Sequence, residues 1–522
     1  MKRLDHARPG SDRRNILAQE VIIERFPRPA GAAARVAAGY AAPYRVAMSN
    51  LGFHFLFAGL RRSSDLRVER FFADTSPATI ESGSPLSAQT ALLFSVSYEE
   101  DYLNLVRMLH ESGVPPLRVA RRGGPLVIAG GPAVSANPFP LADIVDAEAL
   151  GEGESVLGAI ATVLAESSGV EKGAVRERLA RIPGVLVPGV SRPGVSLQEG
   201  SRLESFPRSV ILTPETVFPR TLLVECARGC PGACAFCLAT SIYRPYRAMP
   251  FEALRELMDS LEVPVRRVGL VSTAVASHPD FERIVRFLRA KGISVAFSSL
   301  RAEDLDDVKA DMIGAIGTTS VSLAPESGSE AIRSRLGKKV SNEVYFHVAA
   351  RLQEAGVNHF TLYFLAGWPP GDDTITSMTA SFVERFRRII KRSRLDVHVN
   401  TIIPKAWTPL QFLAMPEERE LSASQKGLEK ALARLGARVS VKSVRSALRQ
   451  ALFSTGDERI GRAIVHHVVD GLSWRRALRS AEVDERFPHE EKGPETSFPW
   501  DGVEGPVRRG ALFKRFEAMT RG

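Results

Sequence analysis

Two hydrophobic patterns alternate along most of the chain: short runs of consecutive apolar residues, and longer stretches in which apolar residues recur every three or four positions. The first predicts strands buried on both faces and the second amphipathic helices. In the N-terminal part "YRVAMSN" (44–50), "TALLFSVS" (90–97) and "PLVIAGG" (125–131) predict strands, with a short further strand inside "IVDAEALGEGES" (144–155). "LGFHFLFAGL" reads as a loop running into a helix, and "YEEDYLNLVRMLHESG" (98–113) as a helix ended by its glycine. This alternation specifies a parallel, doubly wound sheet. In such sheets ligands bind beyond the carboxyl ends of the strands. The turns at Gly130–Gly131 and Gly151–Gly153 fall on that edge, although Gly-rich turns also simply reverse a chain.

A second series starts near residue 216. Candidate strands are 221–225, 266–272, 293–299, 318–324, 359–367 and 395–403, with helical segments such as "HPDFERIVRFLRAKG" (278–292) between them. Six β/α steps predict a partial (β/α)6 TIM-type barrel, whose active residues sit at the C-terminal ends of the strands. Beyond about 415 the alternation gives way to amphipathic helices. The expected class is therefore α/β: an N-terminal Rossmann-like doubly wound parallel sheet, then the partial barrel, then a helical tail. The expected divisions are a basic lead-in (1–40), the Rossmann-like domain (41–165), a linker with short strands (166–215), the barrel (216–415) and a mainly helical C-terminal region (416–522).

A length of 522 residues suits several domains. No apolar run reaches the roughly 18 residues of a membrane span, and the basic start lacks the apolar core of a secretory signal. A cytoplasmic location is expected. The net charge of +10 is spread along the chain rather than gathered in one block. It reads as a solvated Arg-rich surface, and a nucleic-acid partner has no motif behind it. Phosphate-binding P-loop, nucleophile-elbow and H-E-x-x-H motifs are absent. His466 and His467, adjacent on a helix, point different ways and read as structural.

All four cysteines lie in one stretch, "VECARGCPGACAFCLATSIYRPYR", at 226, 230, 234 and 237. In a reducing compartment such a cluster reads as a metal or catalytic site rather than a disulfide framework. Cys230, Cys234 and Cys237 have the spacing C-x3-C-x2-C; Cys226 stands outside it. Zinc sites usually draw a second ligand pair from distant sequence, and none exists here. A cuboidal 4Fe–4S cluster normally takes four cysteines, so three would leave one iron open for a further ligand. A structural zinc knot is the alternative.

C-x3-C-x2-C with Phe236 before the last cysteine, placed after the first strand of a β/α series, resembles the radical S-adenosylmethionine (SAM) superfamily. The segments 235–247, 297–305, 323–333, 362–371 and 402–412 resemble, in order and spacing, its branch with an N-terminal cobalamin-binding-like domain. "LLFSVSYEEDYLNLVRML", "PLVIAGGPAVSANPFPLAD" and "GEGES" resemble the same branch, so the likeness runs from about 45 to 412. The resemblance implies that Cys230, Cys234 and Cys237 hold a 4Fe–4S cluster and that the open iron binds SAM. Reductive cleavage of SAM then gives a 5′-deoxyadenosyl radical that takes hydrogen from a substrate. It also implies an electron donor such as flavodoxin or ferredoxin. Cys226 is expected to be a non-ligand.

The same resemblance implies that Glu326 lies near SAM; by itself Glu326 also reads as a helix N-terminal carboxylate. Ser299 and Arg301 are implied as contacts of the methionine carboxylate, an Arg being suited to bidentate capture, or they belong to a surface loop. Gly367 and Gly371 are implied near the adenosine, while Pro370 and Gly371 also suit a plain turn. Tyr243 and Arg244 either wall the site or pack. The D-x-H-x-x-G motif of many cobalamin domains is missing: His54 has Gly52 where the aspartate belongs and reads as a partly buried loop histidine. Cobalamin binding is thus left open. With it, C-methylation is expected; without it, another radical modification such as methylthiolation of RNA or protein. A non-catalytic zinc-stabilised nucleic-acid-binding protein is the rival from another class. The substrate, small or macromolecular, has no signature.

Overall fold

The computed structural model describes residues 13–31, 34–191, 195–196, 206–298, 300–367 and 374–521. The first sheet contains β1 (Ala34–Tyr40), β2 (Leu66–Phe72), β3 (Ala91–Ser95), β4 (Leu126–Gly130), β5 (Ala147–Ala149) and β6 (Val185–Leu186). Their order is β2-β1-β3-β4-β5-β6, parallel throughout except for the antiparallel β5–β6 pair. The chain reverses direction across the sheet between β1 and β3, the position at which doubly wound sheets open a ligand crevice.

The expected strand at 44–50 is instead the helical turn Tyr44–Ala47, begun by Pro43. The strand lies earlier, in the Ala-rich segment Ala34–Tyr40. Its small residues are selected by crowding rather than by strand propensity: a Cβ on Gly39 would stand 2.2 Å from the Phe71 ring on the neighbouring strand. "LGFHFLFAGLR" is wholly helix, Leu51–Arg61, and Asn50 Oδ1 caps it by accepting from Phe53 N at 3.0 Å.

The second series forms β7 (Leu222–Glu225), β8 (Arg267–Val271), β9 (Ser294–Phe297), β10 (Ser320–Glu326), β11 (His359–Ala366), β12 (Arg394–Thr401) and β13 (Arg438–Val441). All six expected strands are present, and β13 is an addition. It was not legible because it is a short edge strand of half-exposed residues, "RVSV". The strands lie in a three-stranded sheet, β7-β8-β9, and a four-stranded sheet, β10-β11-β12-β13, with parallel pairing throughout. Thr318 Oγ1 donates to Val295 O at 3.1 Å between the two sheets. Leu222, Val268, Val295, Val321, Phe360 and Val397 share one apolar core beneath them.

The C-terminal region contributes to the core of the first sheet. Phe453, Ile464 and Trp500 pack with Leu92, Phe94 and Val127. Trp407 Nε1 donates to Ala136 O at 2.9 Å, and Asn137 Nδ2 donates to Gly456 O at 2.7 Å. These links fix the first sheet against the β/α unit. Among the described residues no helix is long and apolar enough to cross a membrane.

Candidate active site at the cysteine loop

The cysteine loop leaves β7 at its C-terminal end. Cys226 comes first and is 1% exposed in the apolar core, its thiol facing Val271 O at 3.6 Å. Burial pushes that thiol up to about 12. A small antiparallel pair, Ala227–Arg228 with Arg247–Ala248, then brackets the loop that carries the other three cysteines. Gly229 closes the bracket in a left-handed conformation (φ 82°), where a Cβ would stand 2.2 Å from Tyr243 O.

Cys230, Cys234 and Cys237 are half-buried on this loop. Cys230 Sγ accepts from Gly232 N at 3.4 Å and faces Arg301 Nη1 at 3.6 Å. Burial pushes the Cys234 thiol up to about 12, against the pull of the nearby Lys338 ammonium, and burial raises Cys237 as well. A metal bound there displaces these protons, as thiolate ligation requires. Thr240 Oγ1 donates to Cys237 O at 2.8 Å, giving the end of the loop a helical turn.

The loop is held from behind by two elements, the turn at Leu336–Gly337 and the helix Arg509–Arg521. Ala235 N donates to Leu336 O at 2.8 Å. Gly337, at φ 82°, lets its backbone come so close that a Cβ would stand 2.3 Å from Ala233 O. Arg515, on the helix Arg509–Arg521, donates to the same Ala233 O at 2.7 Å. Ala235 and Phe236 pack with Ile332, Leu365, Leu410 and Met519 in a separate apolar cluster.

Glu326 ends β10 beside a register shift and carries a positive φ of 65°. Such a backbone is rare outside glycine and concentrates at functional sites. The next helix is capped by Ser329, so Glu326 is not its N-terminal carboxylate. Glu326 is 8% exposed and meets Lys338 Nζ at 3.3 Å; burial raises its carboxyl above the ordinary range and the ammonium opposes this. Arg301 follows β9, and both its Nε (2.9 Å) and Nη2 (2.6 Å) donate to Glu303 Oε1. Gly367 follows β11 at φ 91°, a backbone that favours glycine, and a Cβ there would meet the Leu421 side chain of the helix Glu418–Ala433 at 2.7 Å. Ser299, Pro370 and Gly371 lie outside the described residues.

The structure thus gathers Arg301, Glu326 and the cysteines at the strand C-terminal ends. It adds Lys338, Glu303 and Arg515, which carried no motif. A further missed residue is Arg228. Its guanidinium pairs with Glu225 (2.7 Å), Glu152 (2.8 Å) and Glu154 (2.7 Å). Glu152 also takes Arg247. The "GEGES" turn after β5 is therefore fastened to the root of the cysteine loop. Tyr243 and Ile242, after the loop, join the apolar core of the first sheet.

His54 is fully buried within a helix rather than part of a loop. Its Nε2 meets Met48 O at 3.1 Å, and Nδ1 accepts from Val210 N at 3.3 Å, so both ring nitrogens are engaged. His466 pairs with Asp470 at 2.7 Å, whereas His467 meets Leu472 O at 2.7 Å. A shallow cavity of about 630 Å³, lined by Gln353, Asn358, Lys391 and Arg394, lies at the opposite ends of β11 and β12, away from this chemistry.

Two family models match the chain. "Radical SAM proteins, N-terminal" covers residues 52–188, and "Radical SAM superfamily" covers 224–379. The chain belongs to the radical SAM superfamily. It is accordingly a radical SAM enzyme, with a 4Fe–4S cluster and SAM as cofactors. The rival reading as a non-catalytic zinc-stabilised scaffold is overturned by these matches. An uncharacterized protein of Methanocaldococcus jannaschii is 28% identical over 440 residues, 82% of this chain and 90% of its own. One from Methanopyrus kandleri is 28% identical over 179 residues, 31% of this chain and 34% of its own. Among solved structures, the radical SAM methyltransferase TsrM from Kitasatospora setae is 14% identical with a TM-score of 0.48, over 70% of this chain and 72% of that one. The cobalamin-dependent radical SAM enzyme OxsB is 15% identical with a TM-score of 0.46, over 67% of this chain and 52% of that one.

Proposed function

We propose that this radical SAM enzyme holds its cluster on Cys230, Cys234 and Cys237, binds SAM beside Glu326, and uses cobalamin on the N-terminal sheet to transfer a methyl group to a substrate carbon. The observation that carries the reading is the ion-pair junction of Glu152 and Glu154 with Arg228. It brings the ligand-binding edge of the doubly wound sheet against the root of the cysteine loop. A cofactor in that crevice would face a radical formed at the loop.

The residues present fit both groups. Three soft thiol donors on one loop suit iron–sulfur ligation. Among the described residues no three Cys, His, Asp or Glu side chains converge tightly enough to hold a single metal ion; the ligands of a cuboidal cluster stand farther apart. On the sheet edge Gly131 has φ 111°, and a Cβ there would stand 2.6 Å from Val96 O, so only glycine lets this turn pack against the end of β3. Because His54 is engaged on both nitrogens, cobalamin would bind without that side chain as its lower ligand.

When bound, the cluster supplies the electron that cleaves SAM, and cobalamin supplies a methyl carrier. The chain's own residues orient and enclose. Glu326 and Lys338 present a fixed carboxylate–ammonium pair at the mouth of β10. Phe236 and Leu365 pack against the apolar cluster that backs the loop. The electron would come from a flavodoxin- or ferredoxin-type donor, and the enzyme would work in the cytoplasm.

The test is anaerobic reconstitution with iron and sulfide, then incubation of the reduced protein with SAM and hydroxocobalamin. 5′-Deoxyadenosine by mass spectrometry is expected, with S-adenosylhomocysteine beside it from methyl transfer to cobalamin. 5′-Deoxyadenosine without S-adenosylhomocysteine, and no cobalamin retained, would reject the methyl-transfer part. Zinc in place of iron would reject the whole.

A further inference from the structure

Cys230 differs from the other two cysteines of the triad in what surrounds its sulfur. It accepts from Gly232 N at 3.4 Å, and Arg301 Nη1 points at it from 3.6 Å. The guanidinium is immobilised from its other edge. Nε and Nη2 both donate to Glu303 Oε1, at 2.9 and 2.6 Å, and Nε lies 3.5 Å from Asp304 Oδ2. With those two nitrogens held, Nη1 is the one left to meet the sulfur. Gly232 keeps the approach open: a Cβ there would stand 3.3 Å from Cys230 Sγ and 3.4 Å from Arg301 Nη1, wedged between them. Lys338, the other cation near the loop, is turned to Ala324 O and Glu326.

We propose that Arg301 is a positioning residue that sets the reduction potential of the cluster, through an N–H···S contact to Cys230 that favours the one-electron-reduced state. The inference rests on the assignment of the cluster to this cysteine triad. One electron from the donor protein adds one negative charge, delocalised over iron and the thiolate sulfurs. A permanently protonated guanidinium and its N–H dipole at one of those sulfurs stabilise the reduced state more than the oxidised one. Hydrogen bonds to cluster sulfurs and local charge are established levers on iron–sulfur potentials. Glu303 and Asp304 offset part of the charge, but they occupy the Nε/Nη2 edge, whereas the sulfur meets Nη1. Arg301 is therefore assigned to the cluster rather than to the methionine carboxylate.

The experiment compares the full-length wild type with Arg301→Gln and Arg301→Lys after anaerobic reconstitution. Iron and sulfide per chain are measured first. The cluster is then titrated against redox mediators, with the reduced form read by electron paramagnetic resonance. At the potential that half-reduces the wild type, Arg301→Gln is expected to show at least a tenfold lower ratio of reduced to oxidised cluster, about 59 mV for a one-electron couple. Arg301→Lys, which keeps the charge but lacks the rigid fork, is expected in between. A full cluster with an unmoved potential in Arg301→Gln overturns the inference. If Arg301→Gln does not retain a full cluster, Arg301→Lys decides: a lowered potential supports the inference and an unchanged one overturns it. A wild type that takes up no iron–sulfur cluster overturns the cluster assignment, and the inference with it.

Discussion

Glu152, on the turn after the fifth strand of the N-terminal sheet, meets Arg228 at 2.8 Å, two residues before Cys230. The Glu152 side chain is 1% exposed and serves a second cation, Arg247, on the strand that closes the bracket around the loop. Arg228 in turn holds Glu154 and Glu225. One buried carboxylate therefore fixes both strands that bracket the cysteines to the other half of the molecule.

Replacing Glu152 by Gln removes the one carboxylate shared by two guanidinium groups in a nearly dry junction. Breaking one side of a buried pair is expected to destabilise by about 3 kcal/mol, the lower end of the usual range, since Arg228 keeps Glu154 and Glu225. Denaturant unfolding of wild type and Glu152→Gln measures it. A difference below about 1 kcal/mol, the scale of exposed pairs, would mean that the junction is not the fastening described.

The element series and the cysteine triad were legible because each leaves a local mark: continuous apolar strands, helical periodicity, and thiols at a fixed spacing. Residues that act across the fold leave none. Arg228 and Glu152 are 76 positions apart, and either alone looks like a surface charge. Arg515 meets the loop across 282 positions from a helix at the end of the chain. Ala34–Tyr40 was missed for the opposite reason: its small residues are demanded by the Phe71 ring packed over them, and alanine and glycine do not read as strand formers. Glu326 stands at the strand end where the sequence puts it, but its left-handed backbone and its pairing with Lys338 leave no local mark in the sequence.

Gly337 to Ala is expected to loosen the cysteine loop specifically. The new methyl would stand 2.3 Å from Ala233 O, and φ 82° is unfavourable for alanine. Because Ala233 adjoins Cys234, iron retention after reconstitution should fall well before the fold melts. Iron content per chain and far-ultraviolet circular dichroism, taken together, separate the two effects. Full iron in Gly337→Ala would contradict the close approach.

His54 predicts an acid limb in stability. Burial lowers its pKa from 6.5 to about 4. A base whose folded value is depressed contributes stability that is present above its unfolded value and lost as pH falls toward the folded one. Stability should therefore decline between pH 6.5 and about 4, by about 3 kcal/mol from this group at the end of the window. His54→Asn removes the titrating ring. Its unfolding free energy, though lower at pH 7, should vary less over that window. An equal slope in wild type and variant would show that His54 protonates freely in the folded state.

The C-terminal helix offers the sharpest separation of fold from site. Arg515 donates to Ala233 O, Arg335 Nε reaches back to Met519 O at 2.8 Å, and Met519 packs in the cluster that contains Ala235, Ile332 and Leu410. Buried Met to Ala typically costs 2–5 kcal/mol, so Met519→Ala should weaken the docking of this helix without touching a cysteine. Arg515→Ala removes a single exposed hydrogen bond, worth about 1 kcal/mol, yet it frees the carbonyl one residue before Cys234. Both variants should leave global unfolding by denaturant nearly cooperative while the reconstituted protein loses iron faster to a chelator. Met519→Ala should show the larger effect, because it releases the whole helix rather than one contact. Chelator kinetics indistinguishable from wild type in both variants would mean that the helix covers the loop without supporting it.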